Sequence, residues 1–229
     1  MGRLEAVRGV IKAVVFDLWE TLVDWDRESA ANMLQAVAGR SGLEPDEFHR
    51  RWDAHDNPRY IGPIRDALRG VGVAEEAIED VCRLRLDYTR RALVPRAGVV
   101  ETLRMLRERG LGVGLITVCS EDVEVVFPET QLAGLFDAEV FSNAVRLSKP
   151  DPRIYLHCCE LLGVEPQEAV FVGDGANDEL EGARRVGMEA ILIHRPGEDP
   201  PWPGLSEWDG PRITSIPGVL GVLGPQSGL

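Results

Sequence analysis

The fold of this chain is decided by the stretch Ile11-Lys12-Ala13-Val14-Val15-Phe16-Asp17-Leu18-Trp19-Glu20-Thr21-Leu22, in which a short β-branched run ends at an aspartate. Other apolar runs of the same kind follow along the chain. They lie at residues 111–116, 169–172 and 190–193, with a weaker one at 138–141. Runs that are apolar on both faces are typical of strands in a parallel sheet covered by helices. These five runs therefore predict a parallel β-sheet.

Helical periods separate the predicted strands. The apolar stripes of three helices are Val99, Leu103 and Leu106; Ile154, Leu161 and Leu162; and Leu180, Ala183 and Val186, the last ended by Gly187. Strands that alternate with helices in this way predict βαβ units and a Rossmann-like α/β fold. After Arg195 the chain becomes rich in proline and glycine, which predicts a surface tail before a last apolar turn at residues 216–223.

One segment interrupts the alternation of strands and helices. Between about residues 24 and 94 the sequence shows only helical periods, such as Ala30, Met33, Leu34 and Val37, and then Ile78, Val81, Leu84 and Tyr88. We predict an all-helical cap domain of residues 25–94, inserted into a core domain of residues 1–24 and 95–229. An insertion that follows the first strand lies over the carboxyl edge of the sheet, where it can act as a lid.

Composition and charge restrict the class of protein. The 229 residues include 25 Lys+Arg and 38 Asp+Glu, a formal net charge of −13, and 44% are hydrophobic. Such a composition is that of a globular protein, and its acidity argues against nucleic-acid partners. No run approaches the roughly 20 apolar residues of a membrane helix, and no secretory signal is visible, so we expect no membrane association and a cytoplasmic location. Cys82, Cys119, Cys158 and Cys159 have no metal-binding spacing and predict free buried thiols.

Polar residues follow the predicted strands where ligands bind in open parallel sheets. Asp17 and Thr117 each follow a strand, and Lys149 stands in Lys149-Pro150-Asp151-Pro152 before a helix. Asp174 and Asp178 lie four apart at a strand–turn–helix junction, where carboxylate oxygens suit Mg²⁺. Each residue also has a simpler reading. An aspartate after a strand is often a helix cap, two aspartates are favourable charges at a helix N-terminus, and a single lysine usually faces solvent.

Taken in order, these stretches resemble the haloacid dehalogenase-like (HAD) hydrolase superfamily. The matching stretches are residues 14–22, residues 115–117, Ser148-Lys149-Pro150-Asp151-Pro152 and Val172-Gly173-Asp174-Gly175-Ala176-Asn177-Asp178. The resemblance covers about residues 10–24 and 95–195. It implies a Rossmann-like core, and it implies that the helical insertion is the small cap that this family places between the first strand and the following helix. The cap would choose the substrate.

The resemblance also implies roles for individual residues. Asp17 would be the nucleophile that forms an aspartyl intermediate, and Thr117 and Lys149 would bind the transferring group. Mg²⁺ would be held by Asp17, Asp174 and the backbone carbonyl of Trp19, together with Asp178. Trp19 would also border the substrate, and Arg59 of the insertion is a candidate contact for a substrate anion. The expected partner is a small phosphorylated molecule, bound by a monomer or a homodimer.

One position departs from the family pattern. Family phosphatases usually carry a second aspartate two residues after the nucleophile, as general acid for the leaving alcohol, and here that position is Trp19. An indole N–H donates hydrogen bonds but does not exchange protons near pH 7. General acid–base help is typically worth about 10²–10⁴-fold, so hydrolysis of alkyl phosphates should be slow or should use another group. Glu20, Asp24 and Glu121 are the candidates for that substitute.

Four readings of the function follow. The first is a Mg²⁺-dependent phosphatase with a weakened or relocated acid, which Lys149, Asp174 and Asp178 favour. The second is a 2-haloacid dehalogenase, since family dehalogenases carry an aromatic residue at the position of Trp19 and halide leaves without a proton. Against it stand the acidic pair and Val118, which replaces an expected asparagine. The third is another family reaction, such as carbon–phosphorus bond cleavage. The fourth is a degenerate member that binds a phosphorylated ligand without turnover.

Overall fold

The centre of the protein is a parallel β-sheet. A computed structural model describes residues 10–54, 60–197 and 205–224. The strands within these ranges are β1 (Ala13–Phe16), β2 (Gly112–Thr117), β3 (Ala138–Phe141), β4 (Ala169–Gly173), β5 (Glu189–Ile193) and β6 (Arg212–Ile213). They form one sheet in the order β3-β2-β1-β4-β5-β6, and every neighbouring pair is parallel. The predicted α/β fold class is confirmed.

Helices cover both faces of this sheet. Those that follow or separate the strands are α5 (Val99–Glu108), α6 (Glu121–Val126), α7 (Ser142–Val145), α8 (Pro152–Leu162), α9 (Glu179–Arg185) and α10 (Val219–Leu223). Because side chains alternate along a strand, Val14 and Phe16 of β1 join the apolar cluster that contains α5, whereas Ala13 and Val15 join the cluster that contains α8 and α9. This explains why the strands are apolar at consecutive positions.

The order of the strands places a crevice beside β1. From β1 the chain proceeds through β2 to β3 on one side, and then returns to form β4, β5 and β6 on the other side. Ligands in open α/β sheets bind at such a reversal, outside the carboxyl ends of the strands. Asp17 directly follows β1, and Asp174 directly follows β4, which pairs with β1 through residues such as Phe16 and Val172. Both carboxylates therefore lie at the reversal.

Four further helices, here called the cap helices, lie between β1 and α5. They are α1 (Arg27–Ala38), α2 (Pro45–Ala54), α3 (Ile64–Val71) and α4 (Glu75–Ala92). Asp26 caps α1 by accepting hydrogen bonds from the backbone N–H groups of Glu28 and Ser29. The cap helices bury an apolar cluster of their own, around Phe48, Trp52 and Leu68. This separate cluster supports a distinct cap domain, and its predicted limits, residues 25 and 94, stay a prediction.

The predicted strands agree with the structure to within two residues at each end, and β3 has the predicted bounds. Strand β6 was not predicted, because two residues in a segment rich in proline and glycine carry no alternation. Backbone hydrogen bonds attach this segment to β5: Leu192 N–H donates to Pro211 and His194 N–H donates to Ile213. Leu161, predicted to belong to the apolar stripe of α8, is exposed instead. Among the described helices, none has the length and apolar character that crossing a membrane requires.

The structure predicts that β2 is sensitive to added volume at one glycine. A Cβ on Gly114 would lie 2.9 Å from Cys158 Sγ of α8 and 3.1 Å from a methyl group of Val15. Gly114→Ala should therefore lower the free energy of unfolding by about 1–3 kcal/mol, because overpacking displaces well-packed neighbours. Urea denaturation measures this change. Gly112→Ala in the same strand is the matched control, since its nearest contact would be an ordinary 3.4 Å, to Leu162. An equal loss in the two variants would contradict the prediction.

Candidate active site

A cavity of about 540 Å³ lies between the carboxyl edge of the sheet and the cap helices. Four charged residues form its floor: Asp17, Lys149, Asp174 and Glu179. All four are buried, and they come from β1, from the loop before α8, and from the β4–α9 junction. The structure thus brings three of the predicted site residues together, and it adds Glu179, which the sequence analysis did not single out.

Asp17 is held at the end of β1 by its backbone and its side chain. Its N–H donates to the carbonyl of Val172 in β4 at 2.9 Å, which extends the ladder between the two strands. Its Oδ1 accepts from Lys149 Nζ at 2.5 Å. The carboxylate is therefore fixed between two elements that are far apart in sequence, and it faces the cavity.

Glu179 reaches the floor because the chain turns sharply before α9. Asn177 and Asp178 both have left-handed backbone conformations, with φ of 53° and 56°, and α9 starts only at Glu179. Asp174 and Asp178 therefore both lie before the first residue of α9, separated by a turn. Asp178 is exposed and stands apart from the acidic cluster, while the completely buried carboxylate of Glu179 accepts from Gly175 N–H at 3.0 Å. A Cβ on Gly173 would overlap that carboxylate, so only glycine leaves it room.

Lys149 links the acidic residues. Its Nζ donates to Asp17 Oδ1 and to Glu179 Oε2, each at 2.5 Å. Burial alone would lower the pKa of Lys149, but the carboxylates of Asp17 and Glu179 outweigh burial and raise the pKa. The ammonium group therefore stays charged at neutral pH. Lys149 Nζ also lies 5.4 Å from the centre of the Phe171 ring, which adds a cation–π contact.

The carboxyl groups of the floor repel one another. Asp17, Asp174 and Glu179 each offer an oxygen within 4.8 Å of the others. Burial raises the pKa of Asp174, and the charge of Asp17 raises it further. Burial also raises the pKa of Glu179 well above its usual range; Lys149 opposes this, and Asp17 and Asp174 add to it. Because these carboxyl groups are buried close together and Lys149 supplies a single positive charge, a divalent cation would favour their ionised forms as a further partner.

The donor set of the floor fits Mg²⁺. Its atoms are hard carboxylate oxygens, which Mg²⁺ prefers, and few of them are needed because Mg²⁺ keeps several waters. Asp17, Asp174 and Glu179 would hold the ion. The backbone carbonyl of Trp19, two residues after Asp17, is the further ligand that the resemblance implies.

One other predicted residue, Thr117, does not line the cavity. Thr117 ends β2 and is fully buried, and its Oγ1 has no hydrogen-bond partner among the described residues. A buried hydroxyl without a partner costs stability, so a role in binding an anion remains a reasonable prediction for it. Arg59 lies outside the described residues.

Trp19 stands at the side of the cavity. It is half-buried, packs against the core cluster that contains Phe16, and makes an edge-to-face contact with Trp25, with ring centres 5.0 Å apart. The next residue, Glu20, has a left-handed φ of 56°, so the chain changes direction directly after Trp19. Trp19 is therefore a wall of the cavity beside Asp17.

The three carboxylates considered as a substitute acid all have other partners. Glu20 forms an ion pair with Arg96 at 2.7 Å and accepts a hydrogen bond from the backbone N–H of Trp25. Asp24 binds Arg96 and Arg195; burial raises its pKa, but these two arginines outweigh burial and lower it. Glu121 accepts from the backbone N–H of Ile64 in α3 and does not line the cavity. Of the three, only Glu20 borders the cavity, and its carboxylate is held by Arg96 and by the backbone N–H of Trp25.

A second buried ionic cluster, which the sequence analysis missed, joins α4 to the core. Arg85 donates to Asp122 Oδ1 at 2.9 Å and to Ser120 Oγ at 2.7 Å, and Thr89 donates to Asp122 Oδ2 at 2.5 Å. Burial raises the pKa of Asp122, but Arg85, Ser120 and Thr89 outweigh burial and hold the pKa below its usual range. These groups line the same cavity as the floor residues. No local sequence pattern indicates the pairing, because α4 and α6 meet only in the folded chain.

Cys119 also lines the cavity, and its environment makes it unreactive. Its Sγ lies 3.3 Å from Asn143 Oδ1, and burial raises the pKa of the thiol. A buried neutral thiol is a poor nucleophile. The four cysteines are free and buried, as predicted.

Glu179 had a signal in the sequence. Gly182 and Ala183, three and four residues after it, are buried with it on one face of α9, and extending that face backwards by one turn reaches Glu179 rather than Asp178.

Comparisons with known proteins agree with this geometry. The sequence model of the haloacid dehalogenase-like hydrolase family matches residues 11–187. A glyceraldehyde 3-phosphate phosphatase of Methanopyrus kandleri is 30% identical over 203 residues, which cover 81% of this chain and 85% of that protein. An (S)-2-haloacid dehalogenase 4A of Burkholderia cepacia is 31% identical, over 83% of this chain and 86% of that protein. The crystal structure of a HAD phosphatase from Thermococcus onnurineus superposes with a TM-score of 0.72 at 26% identity, over 93% of this chain and 98% of that chain.

Because the Arg85–Asp122 ion pair is buried, we predict that Asp122→Asn lowers the free energy of unfolding by a large amount that does not depend on pH near neutrality. The variant leaves the Arg85 guanidinium buried without its counter-charge, so the free energy of unfolding should fall by about 3–5 kcal/mol. The pKa of Asp122 is lowered in the folded state, so its contribution is complete above the unfolded value of about 3.9 and is lost only as the pH falls through the folded pKa.

Urea denaturation at pH 5 and pH 8 should therefore show the same difference between wild type and Asp122→Asn. Asp87→Asn is the control, because the Asp87–Arg90 pair of the same helix is solvent-exposed and should contribute less than about 1 kcal/mol. A similar small loss in both variants would show that the buried pair is not a main tie between α4 and the core.

Proposed function

Since this chain belongs to the haloacid dehalogenase-like hydrolase family, we propose that it is a Mg²⁺-dependent phosphatase that acts on a small phosphorylated metabolite through an aspartyl-phosphate intermediate. The observation that carries the proposal is the floor of the cavity, where Asp17, Asp174 and Glu179 surround Lys149. The phosphatase names of similar proteins support it.

Asp17 is the nucleophile of the proposed reaction. Lys149 holds Oδ1 by a hydrogen bond, so the carboxylate is fixed in place where Asp17 lines the cavity. A bond forms between an Asp17 oxygen and phosphorus while the bond from phosphorus to the leaving oxygen breaks, and the leaving oxygen keeps the electron pair. Water then cleaves the aspartyl phosphate, which releases inorganic phosphate and restores Asp17.

Charge balance is the second requirement, and Lys149 meets part of it. Phosphoryl transfer needs positive charge near the equatorial oxygens of the transferring group. Lys149 provides one positive charge at the floor, and Thr117 is proposed as a further donor from the end of β2. Mg²⁺, held by Asp17, Asp174 and Glu179 with the Trp19 carbonyl, would neutralise the phosphate oxygens and reduce their repulsion from Asp17.

The leaving group departs without a proton in this proposal. Trp19 has no exchangeable proton near pH 7, and Glu20, Asp24 and Glu121 are engaged elsewhere. Acyl and aryl phosphates have leaving groups that are stable as anions, so they need little help from an acid. They are the class of phosphate that this site can hydrolyse fastest.

A 2-haloacid dehalogenase is the second candidate function. The aromatic Trp19 and the similarity to the Burkholderia enzyme favour it, and halide also leaves without a proton. The cluster of acidic groups at the floor argues for the phosphatase, because it would hold a divalent cation. The release of halide from a haloacid does not need such a cation. Metal-independent release of halide from 2-chloropropionate, without phosphatase activity, would decide for the dehalogenase.

The compartment is part of the proposal. Four buried thiols without a disulfide are consistent with a reducing cytoplasm, where phosphorylated metabolites are found.

The proposed function predicts that Mg²⁺ stimulates the hydrolysis of acetyl phosphate and that Asp17→Asn abolishes it. The amide cannot attack phosphorus, so the rate should fall by at least about 10³-fold while the fold persists. Release of inorganic phosphate measures the rate, with and without Mg²⁺. Unchanged hydrolysis in Asp17→Asn would remove Asp17 as the nucleophile.

Binding of the metal can be measured apart from turnover. Mg²⁺ should raise the thermal unfolding midpoint of the wild-type protein, because a ligand that binds only the folded state stabilises it, and Asp174→Asn should reduce this shift. Asp178→Asn is the matched control, since Asp178 is exposed and apart from the cluster, and it should keep the shift. A shift lost in Asp178→Asn and kept in Asp174→Asn would reverse the assignment.

In the proposed function the site lacks a general acid, so a variant that introduces one at position 19 should gain activity. Trp19→Asp should raise kcat for an alkyl phosphate such as glycerol 3-phosphate by about 10-fold or more, toward the 10²–10⁴-fold that general acid catalysis supplies. Trp19→Asn is the matched control, because it opens the same space without a titratable proton. If the folded, Mg²⁺-binding Trp19→Asp variant is no faster than Trp19→Asn, the leaving-group proton is not what the site lacks.

A further inference from the structure

The upper part of the cavity is aromatic. Three of the five tryptophans of the chain and two of its three tyrosines line this one space. They are Trp19, Trp25, Trp52, Tyr60 and Tyr88. Met33, Leu34 and Val123 complete the apolar wall. A ligand that extends from Asp17 into the cavity therefore meets rings and aliphatic groups.

Several polar groups of this wall bind one another. Arg85, Ser120, Thr89 and Asp122 form a closed set of hydrogen bonds. Arg85 Nε and Tyr88 Oη have no partner among the described residues, but both atoms are shielded from solvent and so present no accessible donor. The hydroxyl or carboxylate of a polar leaving group would lose water here without gaining a partner, which is unfavourable.

The outer charged residues do not change this conclusion. Arg27 and Asp53 also line the cavity, and both are exposed, so their charges are screened by solvent. The cavity volume of about 540 Å³ lies in the range of pockets that enclose whole organic ligands, and it exceeds what a two-carbon leaving group fills.

We propose that the space lined by Trp19, Trp25, Trp52, Tyr60 and Tyr88 is a subsite for a leaving group that carries an aromatic ring. This inference rests on the proposed phosphatase function, and it adds the chemical class of the substrate: an aryl or aroyl phosphate. The phosphate lies at the charged floor, and the ring lies among the side chains of the wall.

Trp25 is the residue that a bound ring would cover. It is 39% exposed although it is large and apolar, and its contact with Trp19 is edge-to-face, which leaves a ring face open. Offset or edge-to-face contact between aromatic rings is favourable beyond the burial of area. Trp25 is thus a specificity residue, and its exposure makes it replaceable without a large loss of stability.

A pair of substrates with similar leaving-group acidity tests the subsite. Benzoyl phosphate and acetyl phosphate are both acyl phosphates, so their chemistry at phosphorus is alike, and they differ in the ring. With Mg²⁺ present, kcat/KM for benzoyl phosphate should exceed that for acetyl phosphate by about 30-fold or more, chiefly through KM, because the ring buries apolar surface. Equal values for the two substrates would overturn the inference and leave the phosphatase function intact.

Trp25→Leu should reduce the preference for benzoyl phosphate by about fivefold, because leucine loses the contact between rings. Trp208→Leu is the matched control, since Trp208 packs on the opposite cluster of the core and does not line the cavity. A preference that is lost equally in the two variants, or kept in both, would overturn the role of Trp25.

The phosphatase function and the aromatic subsite can be tested separately. If neither acyl phosphate is hydrolysed with Mg²⁺, the proposed function fails, and binding still tests the subsite. Benzylphosphonate should then quench tryptophan fluorescence at concentrations at least about 10-fold below those of methylphosphonate, since three tryptophans border the cavity. Similar affinity for the two phosphonates would overturn the subsite on its own.

Discussion

The central feature of the structure is a group of three buried carboxylates that lie beside one another at the end of the sheet. Burying a charge is costly unless it is paired, and Lys149 pairs with only two of them, Asp17 and Glu179. The arrangement is possible because β1 and β4 are neighbours, so residues far apart in sequence leave the sheet at one point, and because Gly173 leaves room for the Glu179 carboxylate. In the proposed function, a divalent cation held by the three carboxylates reduces their mutual repulsion and offsets the charge of an anionic substrate.

A second ionic arrangement, between Arg85 and Asp122, has the opposite character. Its charged groups bind one another within the protein, so no ligand is needed to compensate them. The pair connects α4 to α6. The cavity is therefore divided into a floor with unbalanced charge and a wall with balanced polar groups and aromatic rings. In the proposed function, the anionic part of the substrate binds at the floor and the apolar part lies along the wall.

Trp19 stands where the two parts of the cavity meet. Its ring belongs to the wall and its backbone lies two residues after Asp17, so one residue borders both the proposed substrate subsite and the proposed nucleophile. Glu20 has a left-handed backbone and an ion pair with Arg96, which turn and anchor the chain after β1. In the proposed function, this arrangement favours substrates whose leaving groups depart as anions.

The sequence alone determined the α/β class, five strands, the cap helices and the meeting of Asp17, Lys149 and Asp174. The strands were readable because both faces of a parallel sheet are buried, and the meeting followed because parallel strands end at one edge. Only the tertiary structure showed that Glu179 joins the buried acidic cluster while Asp178 is exposed, because Asn177 and Asp178 have left-handed backbones and α9 starts only at Glu179. Strand β6, the Arg85–Asp122 pair and the aromatic wall also depended on it, because they are made by segments that carry no local pattern and that meet only when the chain has folded.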